Sequence, residues 1–244
     1  MSAGGDARDP ALVLSDGLWF RAGPETWALE PLSVMAGEWI ALVPDGAEPV
    51  VDPSVPLARV LCSLSDPLRG TVEIIGRDVS RMDYGERQRL RARLGFVQGY
   101  GGLLSNRTLR ENVSLPVSVH GGLSFGDEVH LVDSAVRSFA LDRVAHLRPH
   151  EVDGSTRWRA CVARSLVLSP LWLVLEGIGD WEMDRGRGVT WTRLGRFLRR
   201  GGAAAAVCLS RQNPEFEAWF EEGGGVVARY ARLPDGEAPH RERA

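Results

Sequence analysis

Four stretches of the chain carry residues that could act on a phosphate group or a metal ion. The first is VPDGAEPVVDPSVPLARVL at 43–61, a turn between an apolar run and a helix-like segment. Such turns bind phosphate when glycines let backbone N–H groups close on the oxygens, a lysine reaches them, and a hydroxyl meets the magnesium. Gly46 is the only glycine in the stretch. Pro53 and Pro56 bring no N–H donor. Asp45, Glu48 and Asp52 add negative charge, which repels a polyphosphate by about a few kcal/mol at close range. The other three stretches are apolar runs that end in polar residues. Gln98 ends one, Glu176 follows LWLVL and could hold a metal through its carboxylate, and Arg211 follows AAAAVCLS.

These residues need a scaffold, and the apolar pattern predicts one. Short runs bounded by Gly, Pro and Asp predict buried strands at Trp39–Val43, Thr71–Ile75, Leu94–Gln98, Leu171–Leu175, Ala204–Leu209 and Gly225–Tyr230. Helical patterns lie at Tyr84–Arg93, Asp127–Ala140, Ser155–Leu168 and Thr190–Arg200, the last stopped by Gly201 and Gly202. Strands alternating with helices predict an α/β fold with a mainly parallel sheet. Residues 100–165 carry no strong strand and read as an inserted helical subdomain. Residues 1–10 and 233–244 are polar and rich in Gly and Pro, which predicts flexible tails around one domain at 11–232.

Composition narrows the classes of function. A net charge of −3 argues against bulk nucleic-acid binding. All 29 basic residues are arginine, so a mechanism that needs a lysine ammonium is excluded. Cys62, Cys161 and Cys208 sit in apolar stretches and read as core residues; an odd count without paired spacing argues against a disulfide scaffold or a zinc site. No run reaches the length of a membrane-spanning helix, and Met1–Pro10 lacks the apolar centre of a leader. A cytoplasmic location is expected.

In order, LEPLSVMAGEWIALV (29–43), LARVLCSLSDPLRGTVEIIGRDVS (57–80), RLRARLGFVQGYGGLLSNRTLRENVSLPVSVH (89–120) and RPHEVDGSTRWRACVARSLVLSPLWLVLEG (148–177) resemble successive blocks of the nucleotide-binding subunit of ABC transporters. The resemblance covers about Leu12–Leu233 and is greatest to the lipid-trafficking branch that serves MCE-type phospholipid transport. It implies a P-loop NTPase-like, RecA-like ABC ATPase core with a mainly parallel sheet, an antiparallel N-terminal β-subdomain and an inserted helical subdomain.

Carried over residue by residue, the resemblance implies a site with few of its working groups. Glu48, Pro49 and Val50 fall at the last glycine, the lysine and the hydroxyl of the phosphate loop, with about five extra residues before Leu57. A phosphate site rewired around an arginine is the alternative. Glu176 falls at the metal-assisting aspartate and Gly177 at the glutamate that polarises water, so the general base is missing. The alternative register makes Glu176 the base, and Asp180, Glu182 and Asp184 are nearby carboxylates. In the signature loop Gly154 remains, while Asp153 replaces a serine and reads as an N-cap. Arg211 takes the switch-histidine position and cannot be a neutral acceptor. The adenine-stacking position falls near Ala22; Phe20 and Trp19 read as strand residues. Gln98 is the retained glutamine of the Q-loop.

The residual nucleotide candidates are thus Gly46, Gln98, Gly154 and Glu176, with Pro49, Gly177 and Arg211 at positions that have lost their chemistry. The resemblance also marks a docking segment for a membrane subunit, with Tyr100, Leu103, Leu104, Asn106, Glu111 and Asn112 as contacts. It implies a non-hydrolysing structural or regulatory subunit, peripheral at the inner face of the cytoplasmic membrane. Its expected partners are a permease, an intact ATPase subunit, or both, in a homo- or heterodimer, and no cofactor is expected. The alternatives are a weak or partner-assisted ATPase, which would bring ATP and magnesium, and a soluble regulator that keeps the fold for protein contacts.

Overall fold

The computed structural model describes residues 10–46, 49–99, 102–120, 122–177, 191–196 and 202–234. The tail predictions for 1–9 and 235–244 lie outside these residues, as do Glu48, Tyr100, Asp180, Glu182 and Asp184. In chain order the strands are β1 (Pro10–Leu14), β2 (Leu18–Ala22), β3 (Glu25–Leu29), β4 (Leu32–Met35), β5 (Trp39–Asp45), β6 (Val72–Ile74), β7 (Arg77–Asp78), β8 (Leu94–Val97), β9 (Trp172–Glu176), β10 (Ala204–Cys208) and β11 (Val226–Arg232). The helices are α1 (Ser54–Leu61), α2 (Tyr84–Arg91), α3 (Leu109–His120), α4 (Phe125–Ser138), α5 (Gly154–Leu166) and α6 (Pro214–Glu222). Residues 191–196 are also helical.

The fold is α/β. Strands β11, β5, β10, β9 and β8 lie in that order and pair in parallel. The β2–β3 hairpin extends this sheet by antiparallel pairing of β3 with β11. A separate antiparallel sheet runs β4–β1–β6–β7. Each of the six predicted strands is present, shifted at its ends by one or two residues.

The period-two alternation of the central strands divides the core. Ala41, Val43, Leu173, Leu175, Ala205 and Val207 face helices α3–α6, while Ile40, Leu42, Trp172, Val174, Ala206 and Cys208 face α1 and the N-terminal strands. Every residue of β9 and β10 is buried, as expected for parallel strands covered on both faces. Trp172 is fully buried, and its indole N–H donates to the Leu61 carbonyl at 3.0 Å, tying β9 to the end of α1. Truncating such core side chains costs about 3–5 kcal/mol.

Helices α3, α4 and α5 pack on one another in the segment between β8 and β9. Helix α2 starts with a capping box between Asp83 and Glu86. Helix α6 starts at Asn213, whose side chain accepts from the Phe216 N–H at 3.0 Å, with Pro214 in the first turn. Cys62, Cys161 and Cys208 are buried, and none is in a disulfide. Burial pushes the Cys62 and Cys208 thiols up, which keeps them protonated and unreactive. Among the described residues no helix is long and apolar enough to cross a membrane.

Candidate functional site

Parallel register brings the chemistry-bearing strand ends together. Cys208 on β10 lies beside Leu42 on β5 and Glu176 on β9, and Val97 on β8 lies beside Leu175. Gly46, Gln98, Glu176, Gly177 and Arg211 therefore gather along the carboxyl edge of the sheet, where open α/β sheets bind ligands. The Gly177 N–H donates to the Cys208 carbonyl at 2.9 Å, and the Leu209 N–H to the Leu42 carbonyl at 2.9 Å.

Glu176 is 6% exposed. Burial raises its carboxyl above the usual range and the Asp52 charge raises it further; the Gly99 N–H and the Arg59 charge oppose this. Gly99 has no room for a side chain, because a Cβ there would stand 2.6 Å from the Gly177 carbonyl oxygen and 2.7 Å from that of Glu176. Gly177, at φ +56°, faces the start of α1: a Cβ there would lie 3.5 Å from Ser54 Oγ and 3.8 Å from Asp52 Oδ2.

Local sequence shapes the β5–α1 connection. Asp52 precedes a proline and ends the loop, and Asp52 Oδ1 accepts from the Ser54 N–H at 2.9 Å and from the Ser54 hydroxyl at 2.7 Å. Pro53, at the N-cap, makes no side-chain cap. In a phosphate loop the lysine and hydroxyl stand at the helix start. The residues there are Ser54, Val55 and Pro56, and Pro49 lies upstream in the loop. Gly46 lies at φ +91° with open space around its α-carbon.

Asp153 caps α5, accepting from the Thr156 N–H at 2.7 Å. That bond holds the Asp153 carboxyl below its usual range, helped by the Thr156 hydroxyl and by Arg159 and Arg157. Gly154 is the first residue of the helix. Arg211 is exposed in the bend after β10, and the neighbouring Gln212 amide reaches Asp45 at 3.5 Å. Phe20 is buried in β2 against Tyr230, and Ala22 is buried at the end of the same strand.

The Gln98 side chain is exposed and stands over Gly102, whose carbonyl accepts from Arg164 at 2.8 Å. Among the expected docking contacts, Leu104 and Asn106 are exposed and Leu103 packs on the core. One needs correction. Asn112 is fully buried; its Oδ1 accepts from the Leu104 N–H at 2.7 Å, and its Nδ2 donates to the carbonyls of Thr108 at 2.9 Å and Leu104 at 3.1 Å. Its amide braces the 104–108 turn and offers nothing to a partner. Glu111 closes a capping box with Thr108, accepting from the Thr108 N–H at 2.7 Å. That bond holds its carboxyl below the usual range, and the residue stays exposed.

A groove of about 290 Å³ opens beside this segment, between α2, β8, α3 and α5. Phe96, Pro116, Val119 and Leu168 form apolar walls, with Arg91 and Arg164 among them. Single-stretch reading missed it because its lining comes from four separated elements.

No protein-family model matches the chain. It is 32% identical over 211 residues to the lipoprotein-releasing system ATP-binding protein LolD 1 of Rhodopirellula baltica, covering 84% of this chain and 92% of that protein. It is 38% identical over 143 residues to LolD of Xanthomonas campestris pv. campestris, 57% of this chain and 56% of that one. It is 28% identical over 158 residues to the methionine import ATP-binding protein MetN 2 of Pseudomonas aeruginosa, 64% of this chain and 46% of that one. Among solved structures, the dimeric ATP-binding cassette MJ0796 with ADP and phosphate superposes with a TM-score of 0.67 at 21% identity, over 81% of this chain and 87% of that chain. The Clostridium perfringens cassette cbiO1 superposes with a TM-score of 0.64 at 18% identity, over 82% of this chain and 78% of that chain. In fold, and in sequence across most of a curated relative, the chain belongs to the ATP-binding subunits of ABC transporters.

Proposed function

We propose that the chain is a non-hydrolysing ATP-binding-cassette subunit, a structural or regulatory part of an ABC transporter for a lipid or lipid-bearing cargo. The observation that carries this reading is the pairing of Gly177 with the start of α1. A residue without a proton acceptor stands where the water-polarising carboxylate belongs, opposite Ser54 and Asp52, in a chain with no lysine. The residues present do not fit magnesium–ATP. The α1 start offers a carboxylate, a serine and a proline where phosphate needs a cation and N–H donors.

The lipid side of the reading draws on the LolD relatives, named for lipoprotein release, and on the resemblance to the MCE-type branch. The groove beside α3 is the proposed seat of a permease helix: its walls are largely apolar, it is open, and the exposed Val119 lines it. A permease and an intact ATPase subunit are the proposed partners, at the inner face of the cytoplasmic membrane, in a dimer of cassettes.

Mass spectrometry of what co-purifies with the tagged protein from gently solubilised membranes of its native host tests the partner, and ATP binding tests the chemistry. Recovery of a permease, with no ATP affinity tighter than ~100 μM and no hydrolysis, is expected. ATP binding below that value, or hydrolysis by the isolated chain, overturns the non-hydrolysing reading. A soluble protein with no membrane partner overturns the transporter role and leaves a regulator that keeps the fold. One observation favours a partner-assisted ATPase instead: Glu176 is a buried carboxylate with a raised pKa, as a general base has. Hydrolysis by the assembled complex that vanishes in Glu176→Ala would establish it.

A further inference from the structure

We propose that the loop residues Val50–Asp52 are a built-in occupant of the nucleotide cleft, holding it filled without ATP; this rests on the non-hydrolysing reading above. The loop is fastened at both ends of the cleft. At one end the Val50 N–H donates to Glu25 Oε2 at 3.3 Å, and Glu25 is buried and paired with Arg232 at 2.7 Å. Beside it Val51 lies over Gly23 so closely that a Cβ on that glycine would stand 2.7 Å from Val51 Cγ2. Gly23, at φ +59°, turns the β2–β3 hairpin directly after Ala22. An apolar side chain of the loop thus covers the hairpin turn on which a base would rest.

At the other end Asp52 takes the place of a phosphate. A helix N-terminus that follows a strand is an anion site, through its unpaired N–H groups and its dipole. Here the Asp52 carboxylate binds the Ser54 N–H and hydroxyl, and its other oxygen faces Gly177. Pro56 removes a further donor from the first turn. Asp52 also lies near enough to Glu176 to raise its pKa, so an entering phosphate would meet two carboxylates. One short loop therefore places an apolar group at the hairpin and a negative charge at the helix, as a nucleotide does. Loop and nucleotide exclude each other, which fixes the subunit in one state whatever the ATP supply.

The test is ADP binding by calorimetry, with and without magnesium, to the full chain, Asp52→Gly and the double variant Val51→Gly/Asp52→Gly. No heat is expected from the parent at millimolar ADP, and the double variant should bind at least about tenfold more tightly than the parent. Equal binding by parent and double variant, at any affinity, overturns the proposal. Hydrogen exchange on the unaltered protein needs no variant: the Val50 and Ser54 amides are expected to exchange at least about tenfold more slowly than unstructured amides. Unprotected exchange there overturns the proposal too. An inert parent with equally inert variants removes the loop's role and leaves the non-hydrolysing reading standing. A parent that itself binds or hydrolyses ATP removes that reading.

Discussion

Asp52 and Ser54 form a closed unit in which one carboxylate oxygen accepts both the backbone N–H, at 2.9 Å, and the hydroxyl, at 2.7 Å, of the residue two positions on. The unit sits at the start of α1, within 4 Å of a Cβ placed on Gly177. The helix start therefore binds an anion of its own chain, and this relationship shapes the expectations for the site.

On the non-hydrolysing reading, a carboxylate introduced at position 177 should not produce hydrolysis. Gly177→Glu places a side chain at φ +56° against Ser54 and Asp52, adding strain and a third acidic group. A loss of about 1 kcal/mol or more in stability is expected, with no phosphate release above background. Thermal melting and a phosphate-release assay check both; release well above the parent's would show that the α1 start is open to ATP.

Glu176 should make the protein less stable at neutral pH than its amide variant. Its folded pKa is raised, chiefly by burial, so the native state holds its proton more tightly than the unfolded chain does. The stability it contributes is complete below the unfolded value, near 4.5, and is lost as pH rises through the folded value. Glu176→Gln should melt higher than the parent at pH 7, with the two curves converging below that unfolded value. A parent that melts higher than the variant at neutral pH would contradict this.

Asp153 should behave in the opposite sense. Its carboxyl is held low, first by the Thr156 N–H, so its contribution is present above the unfolded value of 3.8 and is lost as pH falls through the folded value. Asp153→Ala should cost about 1 kcal/mol at pH 7, the cost of a lost helix cap. Asp153→Asn, which keeps the acceptor, should recover most of it. Denaturant melts of the three proteins decide; an Asn variant no better than Ala would mean that charge matters more than the cap.

Asn112→Ala should destabilise the protein by roughly 2–4 kcal/mol, because it strands the Leu104 N–H and the carbonyls that its amide joins. Exchange of the Leu104 amide should quicken more than that of amides in β9. A variant with parental stability would mean that the 104–108 turn holds itself.

Val119→Glu should separate docking from folding. Val119 is 69% exposed on the groove wall, so its replacement should change stability by no more than about 0.5 kcal/mol. Recovery of the permease in co-purification should fall sharply. Unchanged recovery would move the membrane contact to another face.

The sequence determined the framework. Strand runs such as Trp172–Glu176 and helices such as α5 are legible because period and caps are set by neighbours along the chain: Asp153 announces the start of α5 three residues before the N–H it binds. The absence of lysine, the glycine at 177 and the acidic β5–α1 stretch are equally plain in one dimension. Helix α6 is hard to read because its short pattern follows a polar turn, and β2 and β3 because polar and charged residues such as Arg21 and Glu25 interrupt their apolar runs. Tertiary structure alone decided what the polar residues do. Asn112 reads as a docking contact until the fold buries it, and the Asp52 carboxylate reads as a loop charge until it is seen to bind the start of α1. The course of Val50–Asp52 depends on Glu25 and Gly23, which lie on another hairpin. Contacts between segments far apart in sequence leave no local periodic trace, so only the folded chain shows which groups meet.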